Sequence, residues 1–366
     1  MLIRENTILA PFTTFGIGGP ARWFIEAESE EEISEAAAWA RERGLALFVL
    51  GGGSNLLVSD AGFDGLVLRV GLRGVATEAA LDAAGQRIYQ AAAGEDWDGF
   101  VERAAKDDCA GIECLAGIPG TVGGTPVQNV GAYGQEVAST IERVRAFDLE
   151  TYGFVEFAAD ECGFDYRRSR FNSSDRGRYI VTRVDYRLTP GGAPTLRYAD
   201  LQRVFQKELA EGGQPKLEEV TAAVRQIRQA KGMLMVDGDP DCRSAGSFFK
   251  NPVVTEDQLR AIAACSQKEP PRFPAGVGTD NMGRVKIPAA WLIEQAGFAK
   301  GYKVGAAAIS SRHTLALVNR GCATAAEILA LAGQINDAVE ARFNLRLEME
   351  PVMVGFQSET RATVSW

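Results

Sequence analysis

Residues 244–252, Ser-Ala-Gly-Ser-Phe-Phe-Lys-Asn-Pro, combine two adjacent phenylalanines with four side chains that can form hydrogen bonds. The polar side chains are those of Ser244, Ser247, Lys250 and Asn251. Apolar walls with a few directed polar groups are typical of the edge of a ligand pocket, where water is excluded from the chemistry. The segment would also fit a strand end with an Asn-Pro turn, in which Ser247 bonds a backbone amide. Taken alone, it leaves both interpretations open.

Two glycine-rich loops have the composition of an anion site. Residues 50–57, Leu-Gly-Gly-Gly-Ser-Asn-Leu-Leu, directly follow an apolar strand, and six glycines lie between Gly117 and Gly134. Without Cβ atoms, such a backbone can surround a pyrophosphate with its N–H groups. The spacing matches neither G-x-G-x-x-G nor G-x-x-x-x-G-K-[ST], which disfavours a Rossmann or P-loop site. Two separate loops indicate a bulky ligand with a diphosphate rather than two unrelated turns.

The composition is that of a globular protein with two or three domains. The chain has 366 residues, 46% hydrophobic and 24% charged, with a net charge of −9. We expect no binding to DNA or RNA, because neutralising phosphates requires a basic face. No apolar run reaches the roughly 18 residues of a membrane span. Residues 1–7 lack a basic segment followed by an apolar one, so we expect no membrane insertion and no signal peptide.

The cysteines and the single histidine limit the kinds of site. Six scattered cysteines without a Cys-x-x-Cys pair indicate free thiols in a reducing cytoplasm rather than disulfides or a zinc site. With His313 alone, a histidine-rich metal centre is excluded, and we expect no metal. His313 precedes an apolar stretch, residues 314–318, and is interpreted as structural.

Strands and helices that would position these segments can be read along the chain. Residues 22–26, 46–50 and 65–70 are strand-like, and Ser-Glu-Glu-Glu at 29–32 is a capping box that predicts a helix ending near Gly44. This first quarter is therefore an α/β unit.

Patterns in the second half of the chain predict two further strands and two helices. In residues 179–188, apolar and charged residues alternate, which predicts a half-buried strand, and a Gly/Pro-rich loop or boundary follows at 189–194. A helix is predicted around residues 217–229. Another capping box at 324–327 predicts a long helix, and residues 345–350 predict a terminal strand.

Five segments, in order along the chain, resemble the UDP-N-acetylenolpyruvoylglucosamine reductase family of bacterial peptidoglycan synthesis, in its loop-bearing form. They are Thr-Phe-Gly-Ile-Gly-Gly (14–19), Leu-Gly-Gly-Gly-Ser-Asn-Leu-Leu (50–57), Gly-Ile-Pro-Gly-Thr-Val-Gly-Gly (117–124), Tyr-Arg-Arg-Ser-Arg-Phe (166–171) and Gly-Ser-Phe-Phe-Lys-Asn-Pro (246–252). The likeness runs nearly from end to end.

The resemblance implies an α+β protein. Two α/β subdomains would form an FAD-binding fold of the vanillyl-alcohol-oxidase (PCMH) type, and a C-terminal α/β domain would bind the UDP-sugar. The implied boundaries are residues 1–71, joined by a C-terminal strand at about 345–366, then residues 72–215, and then the substrate domain at residues 216–344.

The resemblance also implies the reaction. NADPH would reduce non-covalently bound FAD, and the reduced flavin would convert UDP-N-acetylglucosamine enolpyruvate to UDP-N-acetylmuramate. A flavin supplies only the hydride, so the protein must supply a proton and offset negative charge. Three catalytic residues are implied: Ser247 as proton donor, Arg167 for the carboxylate and enolate, and Glu350, in its protonated form, to stabilise the enol. The planar guanidinium of Arg167 suits a carboxylate.

Further residues are implied to hold the ligands. The cofactor would be held by Gly51, Gly52, Gly53, Ser54, Asn55, Gly117, Ile118, Pro119, Gly120, Thr121, Gly123, Gly124, Asn129, Gly131, Ala132 and Ile180. The substrate would be held by Tyr166, Tyr198, Lys231, Lys250 and Asn251. Tyr198 matches a loop tyrosine that covers the substrate. The stretch 231–247 is longer than the family pattern.

Other interpretations stay open. Arg167, Arg168 and Arg170 would also fit a solvated basic face, although strand alternation would set Arg167 opposite the other two. Glu348, two residues before Glu350, is interpreted as a surface or salt-bridged acid. The chain as a whole would also fit an FAD-linked oxidase or a non-catalytic flavin-binding protein. Many such oxidases attach flavin through a histidine, and none occurs in residues 50–134. We expect a cytoplasmic monomer whose partners are small molecules.

Overall fold

The computed structural model describes residues 1–78, 81–275 and 283–356. Within these residues the chain builds its sheets in three successive regions, and the C-terminal end returns to the first region.

The first region is a four-stranded sheet with one helix. Its strands are β1 (Ile3–Ile8), β2 (Pro20–Ala27), β3 (Leu47–Leu50) and β5 (Phe63–Val70), in the order β1-β2-β5-β3, and its helix is α1 (Glu30–Glu42). Strands β2, β5 and β3 are parallel. The Glu32 N–H donates to the Ser29 hydroxyl at 3.2 Å, and the helix ends before Gly44, whose φ is +60°. The strands and helix predicted here are confirmed.

The C-terminal strand lies later than predicted. Strand β20 (Val352–Val354) pairs in parallel with β4 (Leu56–Val58) of the first region. Residues 345–350 form no strand, and only Met349 makes an isolated bridge, with Phe249. Pro351, which has no N–H, separates this short pairing from β20. Residues 357–366 of the expected C-terminal segment lie outside the described residues.

The second region is an antiparallel sheet. Its order is β12 (Gly153–Ala158), β11 (Ile141–Asp148), β13 (Tyr179–Pro190), β7 (Arg87–Ala92) and β6 (Val75–Thr77), and β8 (Cys109–Ala110) pairs with the end of β13. In β13, Val184, Tyr186 and Leu188 are fully buried as the alternation predicts, but the strand is not half-buried, because Asp185 on the opposite face is only 4% exposed. Helix α2 (Trp97–Lys106) packs on this sheet, with the rings of Phe100 and Tyr186 5.0 Å apart. A short hairpin, β9 (Gly131–Ala132) and β10 (Gln135–Glu136), follows the second glycine loop.

Residues 166–171 form a turn and not the strand that alternation assumed. The backbones of Asp165 and Arg168 bond each other, and a 3₁₀ turn follows at Arg170–Asn172. Arg167 has a φ of +55°, which is uncommon for a residue with a Cβ. This turn, rather than the two faces of a strand, separates half-buried Arg167 from exposed Arg168.

The third region contains most of the helices. In chain order it comprises α3 (Ala199–Val204), α4 (Gln206–Ala210), α5 (Leu217–Ala230), β14 (Val253–Thr255), α6 (Glu256–Ser266), β15 (Phe273–Pro274), β16 (Arg284–Lys286), α7 (Ala289–Gln295), β17 (Lys303–Val304), β18 (Ala307–Ile309), β19 (Leu317–Asn319) and α8 (Ala325–Phe343). Two small antiparallel sheets, β14-β16-β15 and β17-β18-β19, share a core with α6, α7 and α8.

Helix α8 begins and packs as predicted. The Glu327 N–H donates to the Thr324 hydroxyl at 3.1 Å, and one apolar face is fully buried, comprising Ile328, Leu331, Ile335 and Val339. None of the helices that the structure describes has both the length and the apolar character needed to cross a bilayer.

Helix α5 packs on the second region. Arg225 forms an ion pair with Asp98 of α2 at 2.9 Å, and Val220 and Val224 are buried in the same core as the second sheet. The apolar core of the second region therefore continues past residue 216, where the sequence places the start of the substrate domain.

Candidate functional site

One cleft brings together segments that are far apart in sequence. Its wall includes both glycine loops (51–55 and 118–121), the serine segment (244–247), Arg167 and Glu350. The cleft, including the part open to solvent, contains about 1400 Å³ of space. Its lining, apolar side chains with a few polar groups, is that of a ligand site.

The two glycine loops touch each other where a Cβ atom would not fit. A Cβ on Gly52 would lie 2.5 Å from Cα of Gly120, and a Cβ on Gly53, where φ is +63°, would overlap the carbonyl of Phe12. In the described part of the chain, the N–H groups of Gly52, Gly53 and Gly120 make no backbone hydrogen bond. Free N–H groups on a surface without side chains fit a diphosphate.

Thr14 and Asn55 connect the first glycine loop to the rest of the cleft. The Thr14 hydroxyl donates to the carbonyl of Ser244 at 2.6 Å. The Asn55 amide donates to Gln128 Oε1 at 2.8 Å and lies 3.3 Å from the carbonyl of Glu350. These bonds fix the glycine loop relative to the serine segment and to the C-terminal acid.

Backbone hydrogen bonds position Ser247 and Glu350 beside each other. The Glu350 N–H donates to the carbonyl of Phe248 at 2.9 Å, and the Phe248 N–H donates to the carbonyl of Leu315 at 2.7 Å. Phe248 and Phe249 are buried in the third-region core. Ser247 precedes this anchor, lies in the cleft wall and is half-buried. The serine segment is therefore a pocket edge, and its phenylalanines are packing residues.

Arg167 and Glu350 form an ion pair in the cleft wall. The distance between Arg167 Nε and Glu350 Oε1 is 3.3 Å, and Arg167 also donates from Nη2 to the carbonyl of Gly131 at 2.7 Å. The side chains are only 23% and 16% exposed. Burial raises the pKa of the Glu350 carboxyl, and the charge of Arg167 opposes this rise without cancelling it.

Asn129 supports the turn that carries Arg167. Its amide donates to the carbonyl of Asp165 at 3.1 Å, its Oδ1 accepts from the Ala138 N–H at 3.1 Å, and its own carbonyl lies 3.4 Å from Arg167 Nη1. Asn129 is almost fully buried and does not belong to the cleft wall. In this structure its contacts position the arginine.

Several residues expected at the substrate lie around the cleft wall rather than in it. Lys250 pairs with Glu348 at 2.5 Å, which makes Glu348 the salt-bridged acid that the sequence predicts. Asn251 Oδ1 accepts from the Ala289 N–H at 2.9 Å and so caps α7. Tyr166 is 37% exposed beside Arg167.

Tyr198 and Lys231 form a second cluster with Tyr133. The Lys231 ammonium lies 5.5 Å from the ring centroid of Tyr198 and 5.7 Å from that of Tyr133. The two rings are 5.1 Å apart, edge to face. Tyr198 and Lys231 are 33 positions apart in sequence. The structure therefore brings two predicted substrate residues together.

Some predicted cofactor residues have structural contacts instead. Ile180 is fully buried in β13, and a Cβ on Gly123 would lie 2.6 Å from that of Ala93. The Gly117 N–H donates to Asp98 at 2.6 Å and its carbonyl accepts from Arg228 at 2.9 Å. None of the three belongs to the cleft wall, and their contact with a cofactor stays a prediction. The remaining predicted cofactor residues, Gly51–Asn55, Ile118–Thr121, Gly124, Gly131 and Ala132, line the cleft.

Two cations near the cleft were missed from sequence. Arg228 is buried in the cleft wall, and burial lowers its pKa. It precedes Lys231 by three positions at the end of a helix, a spacing that places both on one face and could have identified it. Lys286 Nζ lies 4.3 Å from the ring centroid of Tyr166, and burial together with the charge of Arg167 lowers its pKa. No sequence signal pointed to Lys286.

His313 has the contacts of a structural residue. Its Nδ1 accepts from the Leu315 N–H at 3.2 Å, and burial lowers its pKa to about 4, so it is neutral at neutral pH. The described residues contain no cluster of three or more His, Cys, Asp or Glu side chains able to hold a metal ion.

Family models match both halves of the chain. The model described as "FAD binding domain" matches residues 21–151. The model described as "UDP-N-acetylenolpyruvoylglucosamine reductase, C-terminal domain" matches residues 239–354. The first match covers the glycine loops, and the second covers the serine segment and Glu350. The chain therefore contains an FAD-binding domain followed by this C-terminal domain.

Relatives of nearly the same length align along almost the whole chain. UDP-N-acetylenolpyruvoylglucosamine reductase of Streptomyces coelicolor is 43% identical over 355 residues, which cover 95% of this chain and 89% of that protein. The enzyme of that name from Thermobifida fusca is 43% identical over 359 residues, covering 96% and 98%. The crystal structure of UDP-N-acetylenolpyruvylglucosamine reductase from Thermus caldophilus aligns with a TM-score of 0.64 at 28% identity, covering 96% of this chain and all of that one. The chain belongs to the UDP-N-acetylenolpyruvoylglucosamine reductase family.

Proposed function

We propose that this protein reduces UDP-N-acetylglucosamine enolpyruvate to UDP-N-acetylmuramate, with NADPH as the hydride source and non-covalently bound FAD as the cofactor. The observation that carries the proposal is the Arg167–Glu350 pair, 3.3 Å apart in the same cleft wall as Ser247 and both glycine loops. The alternatives, an FAD-linked oxidase or a non-catalytic flavin-binding protein, are not favoured. Relatives aligned along almost the whole chain carry the reductase name.

The glycine loops fit the cofactor. The free N–H groups of Gly52, Gly53 and Gly120 would hold its diphosphate, and a Cβ at Gly52 would force the loops apart. When bound, FAD supplies a hydride acceptor for NADPH and a hydride donor for the enolpyruvyl double bond.

Arg167 and Glu350 would stabilise charge on the substrate. Hydride addition to the double bond leaves negative charge that is conjugated with the substrate's carboxylate, as an enolate. The Arg167 guanidinium would offset this charge in a half-buried site, where electrostatic effects are stronger than in water. The raised pKa of Glu350 favours its protonated form, which can donate a hydrogen bond to the enolate oxygen.

Ser247 would deliver the proton to the carbon next to the hydride. Ser247 is half-buried in the cleft wall, where its hydroxyl is available to a ligand. A serine hydroxyl is a weak acid, but a carbanion is a strong base. The cationic surroundings, above all Arg167, would support the charge left on the oxygen until solvent restores the proton.

The substrate contacts, domain limits, assembly and location are parts of the same proposal. Tyr166, Tyr198, Lys231, Lys250 and Asn251 would contact the UDP-sugar or NADPH. Domain limits of 1–71 with the returning C-terminal strand, 72–215 and 216–344 are supported by the separate sheets, although α5 packs on the second region. We propose a monomer in the cytoplasm, and the absence of disulfides among the six cysteines supports a reducing compartment.

The proposal is tested with the purified protein. It should be yellow and release flavin on acid or heat treatment, and adding NADPH with the enolpyruvyl UDP-sugar should oxidise NADPH in a one-to-one ratio with the sugar. A protein that binds no FAD would contradict the whole proposal. FAD binding without sugar-dependent NADPH oxidation would contradict the reductase activity while leaving the cofactor site in place.

Replacing Gly52 by Ala should weaken FAD binding by about tenfold or more, because the new Cβ meets backbone atoms of Gly120 that cannot rotate away. The measurement is a titration of the apoprotein with FAD. Gly333→Ala is the matched control, since nothing lies within 4 Å of a Cβ at this helical position. The control should bind FAD normally and melt at the same or a slightly higher temperature. If Gly52→Ala bound FAD with wild-type affinity, the contact between Gly52 and Gly120 would not be needed for cofactor binding.

A further inference from the structure

Lys231, a proposed ligand residue, is already paired with an acid of the same cluster. Its ammonium donates to Asp200 Oδ2 at 2.8 Å. Asp200 lies in the first turn of α3, two positions after Tyr198. The hydrogen bond from Lys231 lowers the pKa of Asp200, so the carboxylate is charged at neutral pH. The free protein thus presents a lysine whose charge is compensated from within the chain.

The segment that carries Asp200 is fixed at both ends and exposed between them. At one end, the Thr195 N–H donates to the buried carboxylate of Glu113 at 2.8 Å, and Gln135 donates to the Thr195 hydroxyl at 3.2 Å. At the other end, Leu201 is fully buried. Between these anchors, Tyr198 is 42% exposed. Leu196 packs against the core, so the exposed part of the segment is limited to residues 197–199, which include Tyr198.

We propose that Asp200 is a positioning residue that sets the affinity for the ligand, by occupying the place on Lys231 that an anionic group of a nucleoside diphosphate would take. This rests on the function proposed above. Ligand binding would exchange one anion for another on the same ammonium. Because Asp200 and Tyr198 belong to one short segment, release of the carboxylate would also free the tyrosine to move.

The energetics allow such an exchange. Lys231 and Asp200 remain 32% and 28% exposed, and ion pairs of this kind are weak because water competes for both charges. Arg203, at 3.3 Å from Asp200 Oδ1, offers the displaced carboxylate another cation in the same helix. A diphosphate carries more charge and more acceptor oxygens than one carboxylate, so it would displace Asp200 from Lys231. Because breaking the Lys231–Asp200 pair costs free energy, the ligand would bind less tightly than it would to a free lysine.

The test compares Asp200→Asn with two variants of the FAD-loaded enzyme. Asp200→Glu keeps the charge, and Glu208→Gln removes one charge from the exposed neighbouring helix α4. Two quantities are measured: kcat and KM for the enolpyruvyl UDP-sugar, and Kd for uridine diphosphate by calorimetry. Asp200→Asn should lower both KM and Kd by about three- to tenfold with kcat changed less than KM. Asp200→Glu and Glu208→Gln should behave as wild type.

A double-mutant cycle separates this role from a structural one. In a Lys231→Met background, Asp200→Asn should leave Kd unchanged, because the ammonium on which the two anions compete is gone. An unchanged or increased Kd in the single variant Asp200→Asn would overturn the proposal, and so would an equal gain in the Lys231→Met background. If the wild type fails to turn over the sugar, the reductase proposal fails, and calorimetry with uridine diphosphate still decides the role of Asp200. Absence of uridine diphosphate binding together with normal turnover of the sugar would overturn the role of Asp200 and leave the reductase proposal standing.

Discussion

Replacing Ser247 by Ala should slow reduction of the enolpyruvyl UDP-sugar by about 10²- to 10⁴-fold while leaving reduction of the flavin by NADPH unchanged. The reason is that only the second half-reaction requires a proton on carbon. The Ser247 hydroxyl lies in the cleft wall, next to the backbone pairing that carries Glu350, and removing it creates little change in volume. Stopped-flow absorbance of the flavin follows each half-reaction separately: NADPH is added to the oxidised enzyme, and then the sugar to the reduced enzyme.

Ser244→Ala is the matched comparison for this variant. It removes a hydroxyl three residues earlier in the same segment, where Ser244 Oγ accepts from the Gly246 N–H at 3.3 Å. We expect small and equal effects of Ser244→Ala on the two half-reactions. If Ser247→Ala also slowed both halves equally, its hydroxyl would be structural, and the proton would have to come from another group.

Replacing Arg167 by Lys should lower the rate of sugar reduction by about 10²- to 10³-fold, although the positive charge is kept. In the wild type, Nη2 donates to the carbonyl of Gly131 at 2.7 Å while Nε faces Glu350 at 3.3 Å. A lysine ammonium cannot reach both groups with the geometry of the planar fork. Single-turnover rates of the reduced enzyme with saturating sugar measure the effect.

Arg168→Lys is the control for Arg167→Lys. Arg168 is adjacent in sequence but exposed, and it takes part in the turn through its backbone. The control should retain wild-type rates. Small and similar effects of both substitutions would mean that these arginines form the solvated basic face that the sequence leaves open, and the Arg167–Glu350 pair would lose its assigned role.

Local sequence signals predict the individual elements because their causes are local. The capping boxes at Ser29 and Thr324 place the starts of α1 and α8, since the cap bonds a backbone N–H only three residues away. Alternation in β13 predicts its buried face for the same reason. The terminal strand was misplaced because its pairing partner, β4, is about 300 residues away. No local pattern records the register of such a pair.

The turn at residues 165–168 is a second feature that local sequence patterns do not predict. The three arginines of residues 166–171 fit the alternation of a strand, but Arg167 takes a left-handed backbone conformation, and its side chain donates to the carbonyls of Asn129 and Gly131. Asn129 lies two residues before β9, and Gly131 is the first residue of that strand. The spacing of residues within 166–171 therefore cannot predict these contacts of Arg167.

Sequence motifs identify the residues able to do chemistry: two glycine loops, one serine segment, an arginine turn and a C-terminal acid, in an order that resembles one enzyme family. These signals are local because a motif must supply its own glycines and side chains. Which of these segments meet is known only from the folded chain. In the fold, the two glycine loops touch at Gly52 and Gly120. Arg167 forms an ion pair with Glu350, and Lys231 forms one with Asp200. Burial and long-range contacts determine the pKa of each ionisable side chain and the partner that it bonds. Neither can be predicted from a short stretch of the chain.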